Sequence, residues 1–133
     1  MVIKINTLSP EPIYMQLRNQ VILGIASKKL ETGEALPSAR RLSADLGINL
    51  HTVNKAYALL IDEGYIAVDR SKGTFVSQPV KTGDEINALL SDNLSLAAAE
   101  AICHSVGEEE FLDICKSNYI KAQAKTGGKV HGY

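Results

Sequence analysis

Between Pro37 and Asn49 the chain reads P-S-A-R-R-L-S-A-D-L-G-I-N, and this short run restricts the fold more than any other part of it. Pro37 disfavours helix before it. Ser38 offers a hydroxyl that can cap a helix, and Gly47 offers the left-handed residue that ends one. The helix between them has barely two turns, enough to bury Leu42 and Leu46. Asn49 can cap the next helix only two residues after the stop. A short helix, a tight turn and a longer helix in such quick succession is helix-turn-helix spacing.

The longer helix is two-sided. At about 100° per residue, Leu50, Val53, Tyr57, Leu60 and Ile61 fall on one side. His51, Thr52, Lys55, Ala58 and Asp62 fall on the other, with Asn54 near the boundary. The apolar back is a core face. The front places donors and acceptors at the amino end, and the small Ala58 leaves room for close approach.

The flanks complete a recognisable arrangement. Ser9 to Leu30 opens on Ser-Pro-Glu-Pro, a capping hydroxyl, prolines and a carboxylate suited to a helix start. Ile13, Leu17, Val21 and Ile25 follow at four-residue steps with Tyr14 alongside, which predicts a first helix with one buried face. The stretch E-T-G-E-A-L-P reads as a connector turning at Gly33. After Gly64 the pattern alternates: Y-I-A-V-D-R, a turn in S-K-G, then T-F-V-S-Q, two short strands joined through Gly73. Helix, helix-turn-helix and hairpin make a winged helix. Arg70, Ser71 and Lys72 lie at the wing's turn, where they can reach phosphates or a minor groove.

Residues 79–83 are a linker by composition, separating a winged domain (1–78) from a two-helix region (84–126) and a flexible tail (127–133). Thr82 and Glu85 form a capping box. Beyond it Ile86, Leu90, Leu94, Ala97 and Ala101 make one apolar stripe, and Leu89, Leu96 and Cys103 a second. Ser105 and Glu108 offer another capping box, opening a helix with Phe111, Cys115 and Ala122 inward. Two stripes on one helix need two partners: packing of the helical hairpin onto the winged domain competes with dimerisation, and both are expected. Ile86, Leu89, Leu90, Leu94, Leu96, Ala97 and Phe111 are the candidates for dimerisation. The fold class expected is α+β, mostly α.

Composition narrows the function. A chain of 133 residues supports one modest core plus an appendage. No apolar run approaches the roughly 18 residues that a bilayer requires, and no basic-then-apolar leader opens the chain; a cytoplasmic protein without a membrane partner is expected. The net charge of -1 is unevenly spread. Residues 1–80 hold nine Lys/Arg against seven Asp/Glu, and the remainder five against eight, so the front is where a polyanion is welcome. Cys103 and Cys115 read as ordinary thiols in a reducing compartment, without C-x-x-C or histidines at metal spacing. No nucleophile–base pair, carboxylate dyad or glycine-rich phosphate loop is visible, so neither enzyme activity nor a cofactor or metal is expected.

Residues 12–77 resemble the DNA-binding domain of the GntR family of bacterial transcription regulators nearly end to end. The matching pieces are Pro-Ile-Tyr, Leu-Pro-Ser-x-Arg, Leu-Gly-Ile-Asn followed by Thr-Val, Ala-Tyr-x-x-Leu, Glu-Gly and Gly-Thr-Phe-Val, in this order. Most subfamilies append a large effector-binding domain, whereas the short two-helix appendage here resembles the YtrA-like subfamily, where it serves dimerisation. The resemblance implies DNA contacts at Arg40, Asn49, His51, Thr52, Lys55, Lys72 and Gly73. Ser38, Arg41, Asn54 and Arg70 join them as neighbours on the same surfaces. Two positions depart from the pattern: many members carry Arg where Leu50 stands and a basic residue where Asn54 stands. Base recognition there must differ, through a thymine methyl or an amide reading adenine.

The resulting expectation is a sequence-specific transcription regulator, a repressor that binds a palindromic operator in double-stranded DNA as a homodimer. The competing expectation is a winged helix used for protein docking without sequence-specific DNA binding. Near-neutral net charge permits it, but the polar front and basic wing argue against it.

Overall fold

The computed structural model describes residues 2–124, which fall into two compact units dividing between Pro79 and Val80. The first unit contains α1 (Ile13–Ala26), α2 (Ala39–Leu46), α3 (Leu50–Asp62) and a hairpin of β1 (Ile66–Asp69) and β2 (Gly73–Val76). The second, ending at Lys121, contains α4 (Gly83–Cys103) and all but the last two residues of α5 (Glu108–Gln123). Mostly helical with one small sheet, the chain is a winged helix-turn-helix followed by two helices. The expected tail at 127–133 and the last two residues of the expected dimerisation segment lie outside the described residues.

One core holds the first unit together. Leu17 and Val21 of α1, Leu42 of α2, and Val53, Ala56, Tyr57 and Leu60 of α3 are buried with Ile66 and Val76 of the hairpin. Each such aliphatic side chain contributes about 1.5–3 kcal/mol by leaving water. The buried arc of α3 is shifted from the one that the sequence suggests. Ala56 is fully buried, Leu50 only half-buried, and Ile61 is 42% exposed at the far edge. On this arc α3 packs against α1, α2 and β1.

Helix ends follow local chemistry, with three corrections. α1 starts at Ile13 rather than near Ser9. Pro12 is extended, its carbonyl receives the amides of Met15 and Gln16, and the Ser9 hydroxyl instead accepts the amide of Glu11. The second correction concerns Ser105, which does not cap α5. Ser105 adopts a left-handed φ of 61° and closes α4, its amide bonding Ile102 and the next amide, of Val106, bonding Ala101. This is the hydrogen-bond pattern of a Schellman closure, and Ala101 and Val106 are both half-buried. Thr82 caps α4 as expected, its hydroxyl accepting the Glu85 amide at 3.4 Å, but the Glu85 carboxylate takes its 3.1 Å bond from that same hydroxyl and not from the Thr82 amide, so the reciprocal half of the box is not made.

The wing is broader than a hairpin. β1 and β2 pair antiparallel from Ile66 opposite Val76 to Asp69 opposite Gly73. Residues 70–72 turn between them, and Gly73, at φ 71°, takes the left-handed position that such a three-residue loop requires. The Asp69 carboxylate accepts the Ser71 amide at 2.7 Å and its hydroxyl at 2.8 Å. These bonds, the amide's first, hold the carboxyl below its usual pKa. The expected connector bonds to β2 through a single isolated bridge. Leu36 donates to Thr74, Gly33 to Val76, and Val76 back to Glu34, with Ala35 opposite Phe75. The segment before α1 is also tied down, because the fully buried Gln16 accepts the Asn6 amide and donates to the carbonyls of Asn6 and Glu11.

The second unit has no buried residue in either helix. Ile86, Leu89, Ala97, Ala101, Phe111, Cys115 and Ala122 are half-buried. Leu90 and Leu94 are each 49% exposed and Leu96 67%. Ile102, Leu112, Ile114, Tyr119 and Ile120 are exposed as well. Two helices so rich in exposed aliphatic surface are unusual for a chain standing alone.

Candidate nucleic-acid interface

The first turn of α3 is set by Asn49. Its backbone is extended, its side-chain oxygen accepts the His51 amide at 2.8 Å, and its carbonyl accepts the amides of Thr52 and Val53. With Val53, Ala56, Tyr57 and Leu60 turned into the core, His51, Asn54, Lys55 and Ala58 are left exposed and Thr52 half-exposed. The front of α3 thus carries an imidazole, an amide, a hydroxyl and an ammonium within two turns. Leu50, where a basic residue is frequent in the resembling family, is half-buried.

α2 packs against α3 and is fixed at its entry, where the Tyr57 hydroxyl bonds the Pro37 carbonyl. Ser38 caps α2 by accepting the Arg41 amide at 3.1 Å. Its hydroxyl therefore serves the helix end first. Arg40 and Arg41 are both exposed. Arg41 lies 3.7 Å from Asp45, in a pair with side chains 77% and 60% exposed. Such a pair contributes about 0–1 kcal/mol and competes weakly with an arriving phosphate. Among the described residues Arg40 forms no ion pair.

Arg70, Ser71, Lys72 and Gly73 are exposed at the wing's turn. The Lys72 ammonium stands 5.8 Å from the centre of the Phe75 ring. Lys55 has a closer aromatic neighbour. Its ammonium sits 4.1 Å above the ring of Tyr14, on α1. Tyr14 is the participant that the sequence reading leaves in the core. No local periodicity links it to Lys55, and only the packing of α1 along α3 brings them together.

The structure therefore places His51, Thr52, Asn54 and Lys55 on one helix face. Arg40 and Arg41 stand on the helix packed against it, and Arg70 to Gly73 on the wing of the same unit. Guanidinium and ammonium groups suit phosphates, and amide, imidazole and hydroxyl groups suit base edges. No helix among the described residues is long and apolar enough to cross a membrane. No group of three or more His, Cys, Asp or Glu side chains among them could hold a metal ion.

Residues 11–76 match the family model described as bacterial regulatory proteins, gntR family. The HTH-type transcriptional repressor YtrA of Bacillus subtilis (strain 168) is 38% identical over 80 residues, covering 60% of this chain and 62% of that protein. The solved structure of YtrA from Sulfolobus acidocaldarius, a GntR-family transcription factor, is 39% identical with a TM-score of 0.59, covering 71% of this chain and 99% of that one. A transcriptional antiterminator from Listeria monocytogenes EGD-e is 25% identical with a TM-score of 0.84, covering 99% and 98%.

Proposed function

The chain belongs to the GntR family of bacterial regulatory proteins and to its YtrA-like subfamily, and from this premise we propose that it regulates transcription by binding a palindromic DNA operator as a homodimer. One observation carries the reading: α3 buries Val53, Ala56, Tyr57 and Leu60 while offering His51, Asn54 and Lys55 on the other side. A core helix has no use for such a face, and a major groove has.

In this mechanism α3 lies in the major groove with its amino end toward the base edges. His51, Thr52 and Asn54 read bases. Arg40 and Arg41 hold phosphates beside them, and the wing, through Arg70, Lys72 and the backbone of Gly73, follows the adjacent minor groove. One unit makes few contacts, so affinity and symmetry both call for two. The exposed leucines and isoleucines of α4 and α5 supply the contact between copies, among them Leu90, Leu94, Leu96 and Ile102 of α4. Covering a promoter then represses it, the direction named for the Bacillus subtilis relative.

Selection of bound duplexes from a random DNA pool tests the whole reading. The expected product is one inverted repeat with half-sites about one or more helical turns apart. Enrichment of nothing, with weak binding indifferent to sequence, would instead favour a winged helix that docks on protein.

A further inference from the structure

We propose that Tyr14 is a positioning residue for Lys55, and that Lys55 so held takes a backbone phosphate instead of a base edge; the inference rests on the DNA-binding reading above. A lysine is a point charge on a stem with several rotatable bonds, so on an exposed helix face its ammonium has no preferred direction. Here it has one, because 4.1 Å above the ring centre lies well inside the distance at which an aromatic face attracts a cation. Tyr14 can serve as a fixed platform, since it is half-buried and packed against the core.

The direction matters chemically. Lys55 lies about 100° round α3 from Asn54, on consecutive helical positions. Tyr14 belongs to α1, which packs beside α3. The ammonium therefore leans off the front of α3 toward the α1 flank. When a helix occupies a groove, its front meets the floor, where base edges are displayed, and its flanks meet the walls, where phosphates run. A single ammonium suits a phosphate, whereas base readout favours paired donors and acceptors in one plane. Lys72 near Phe75 on the wing repeats the device at longer range, 5.8 Å. His51, Thr52 and Asn54 are left as the readers of sequence.

The test uses the full chain, a duplex enriched from the random pool and a scrambled duplex, with affinities measured across a salt series. Lys55→Ala is expected to weaken both duplexes by the same factor, to lower the log–log salt slope by about one, and to leave the selected base preferences unchanged. Tyr14→Leu is expected to reproduce part of that loss in the wild-type background and to add nothing to Lys55→Ala. Tyr14→Phe, which keeps the ring, should bind like wild type. A shift in base preference at one operator position upon Lys55→Ala, with the salt slope intact, would overturn the phosphate assignment. Equal losses from Tyr14→Leu with and without Lys55 would make Tyr14 merely structural and also overturn the inference. A wild-type chain that prefers no duplex sinks the DNA-binding reading, and this inference with it.

Discussion

The hydroxyl of Tyr57, on the buried back of α3, donates a 2.7 Å hydrogen bond to the carbonyl of Pro37, the residue just before the cap of α2. This bond joins the helix that would read DNA to the entry of the helix that carries Arg40. Tyr57→Phe leaves the carbonyl without its partner and should cost about 1–2 kcal/mol of stability at neutral pH. Burial pushes the Tyr57 pKa up to about 12, against about 10 in an unfolded chain. Its contribution is therefore whole below about pH 10 and is lost as pH rises toward about 12, by an amount on the order of 2 kcal/mol. Urea midpoints for wild type and variant should differ at pH 7 and converge near pH 11. A gap of constant width would show that the hydroxyl does not ionise with unfolding.

Gly47 makes the turn of the helix-turn-helix, at φ 66° and ψ 34°. A side chain built there meets nothing within 4 Å, so substitution is penalised by backbone conformation alone. Gly47→Ala should cost about 1–2 kcal/mol, and Gly47→Asn less, because asparagine tolerates the left-handed region. Thermal unfolding of the two variants checks the order. Equal losses would point to crowding in place of backbone strain.

Arg40 is exposed and makes no ion pair among the described residues, so its removal should leave folding within about 0.5 kcal/mol of wild type. Operator binding should nonetheless weaken by about 1–3 kcal/mol in Arg40→Ala. Gel shifts with the selected duplex measure this. Undiminished binding would remove Arg40 from the interface.

What the sequence discloses here is the chemistry of near neighbours. Ser38, Asn49 and Thr82 cap the helices assigned to them, and Gly47 stops α2, because each bond joins residues within one turn. Ser105 is the instructive failure. It could have capped α5 or closed α4, and both options are local, but only the closure brings the Val106 amide back to the Ala101 carbonyl. Contacts between distant segments leave no periodic trace. The bridge of Ala35 to Phe75, the grip of Gln16 on Asn6 and the stacking of Lys55 on Tyr14 all depend on how α1 and the wing meet the rest of the unit. The polar front of α3 is legible by angle. The direction in which one of its side chains leans is not.

The last prediction concerns the surface that the chain leaves open. Leu94 is 49% exposed in the middle of α4, and no residue of α4 or α5 is buried within the chain. Leu94→Glu should therefore leave the fold of one chain intact, while a carboxylate set into an apolar contact between copies must lose its water without gaining a partner. Sedimentation is expected to show a dimer for wild type and a monomer for the variant, with operator affinity falling because two half-sites can no longer be held at once. Leu8→Glu is the control, since Leu8 is 93% exposed and lies outside both helices. It should sediment as wild type does. If Leu94→Glu sediments so too, this face of α4 does not join the copies, and the symmetry assigned to the operator must come from elsewhere.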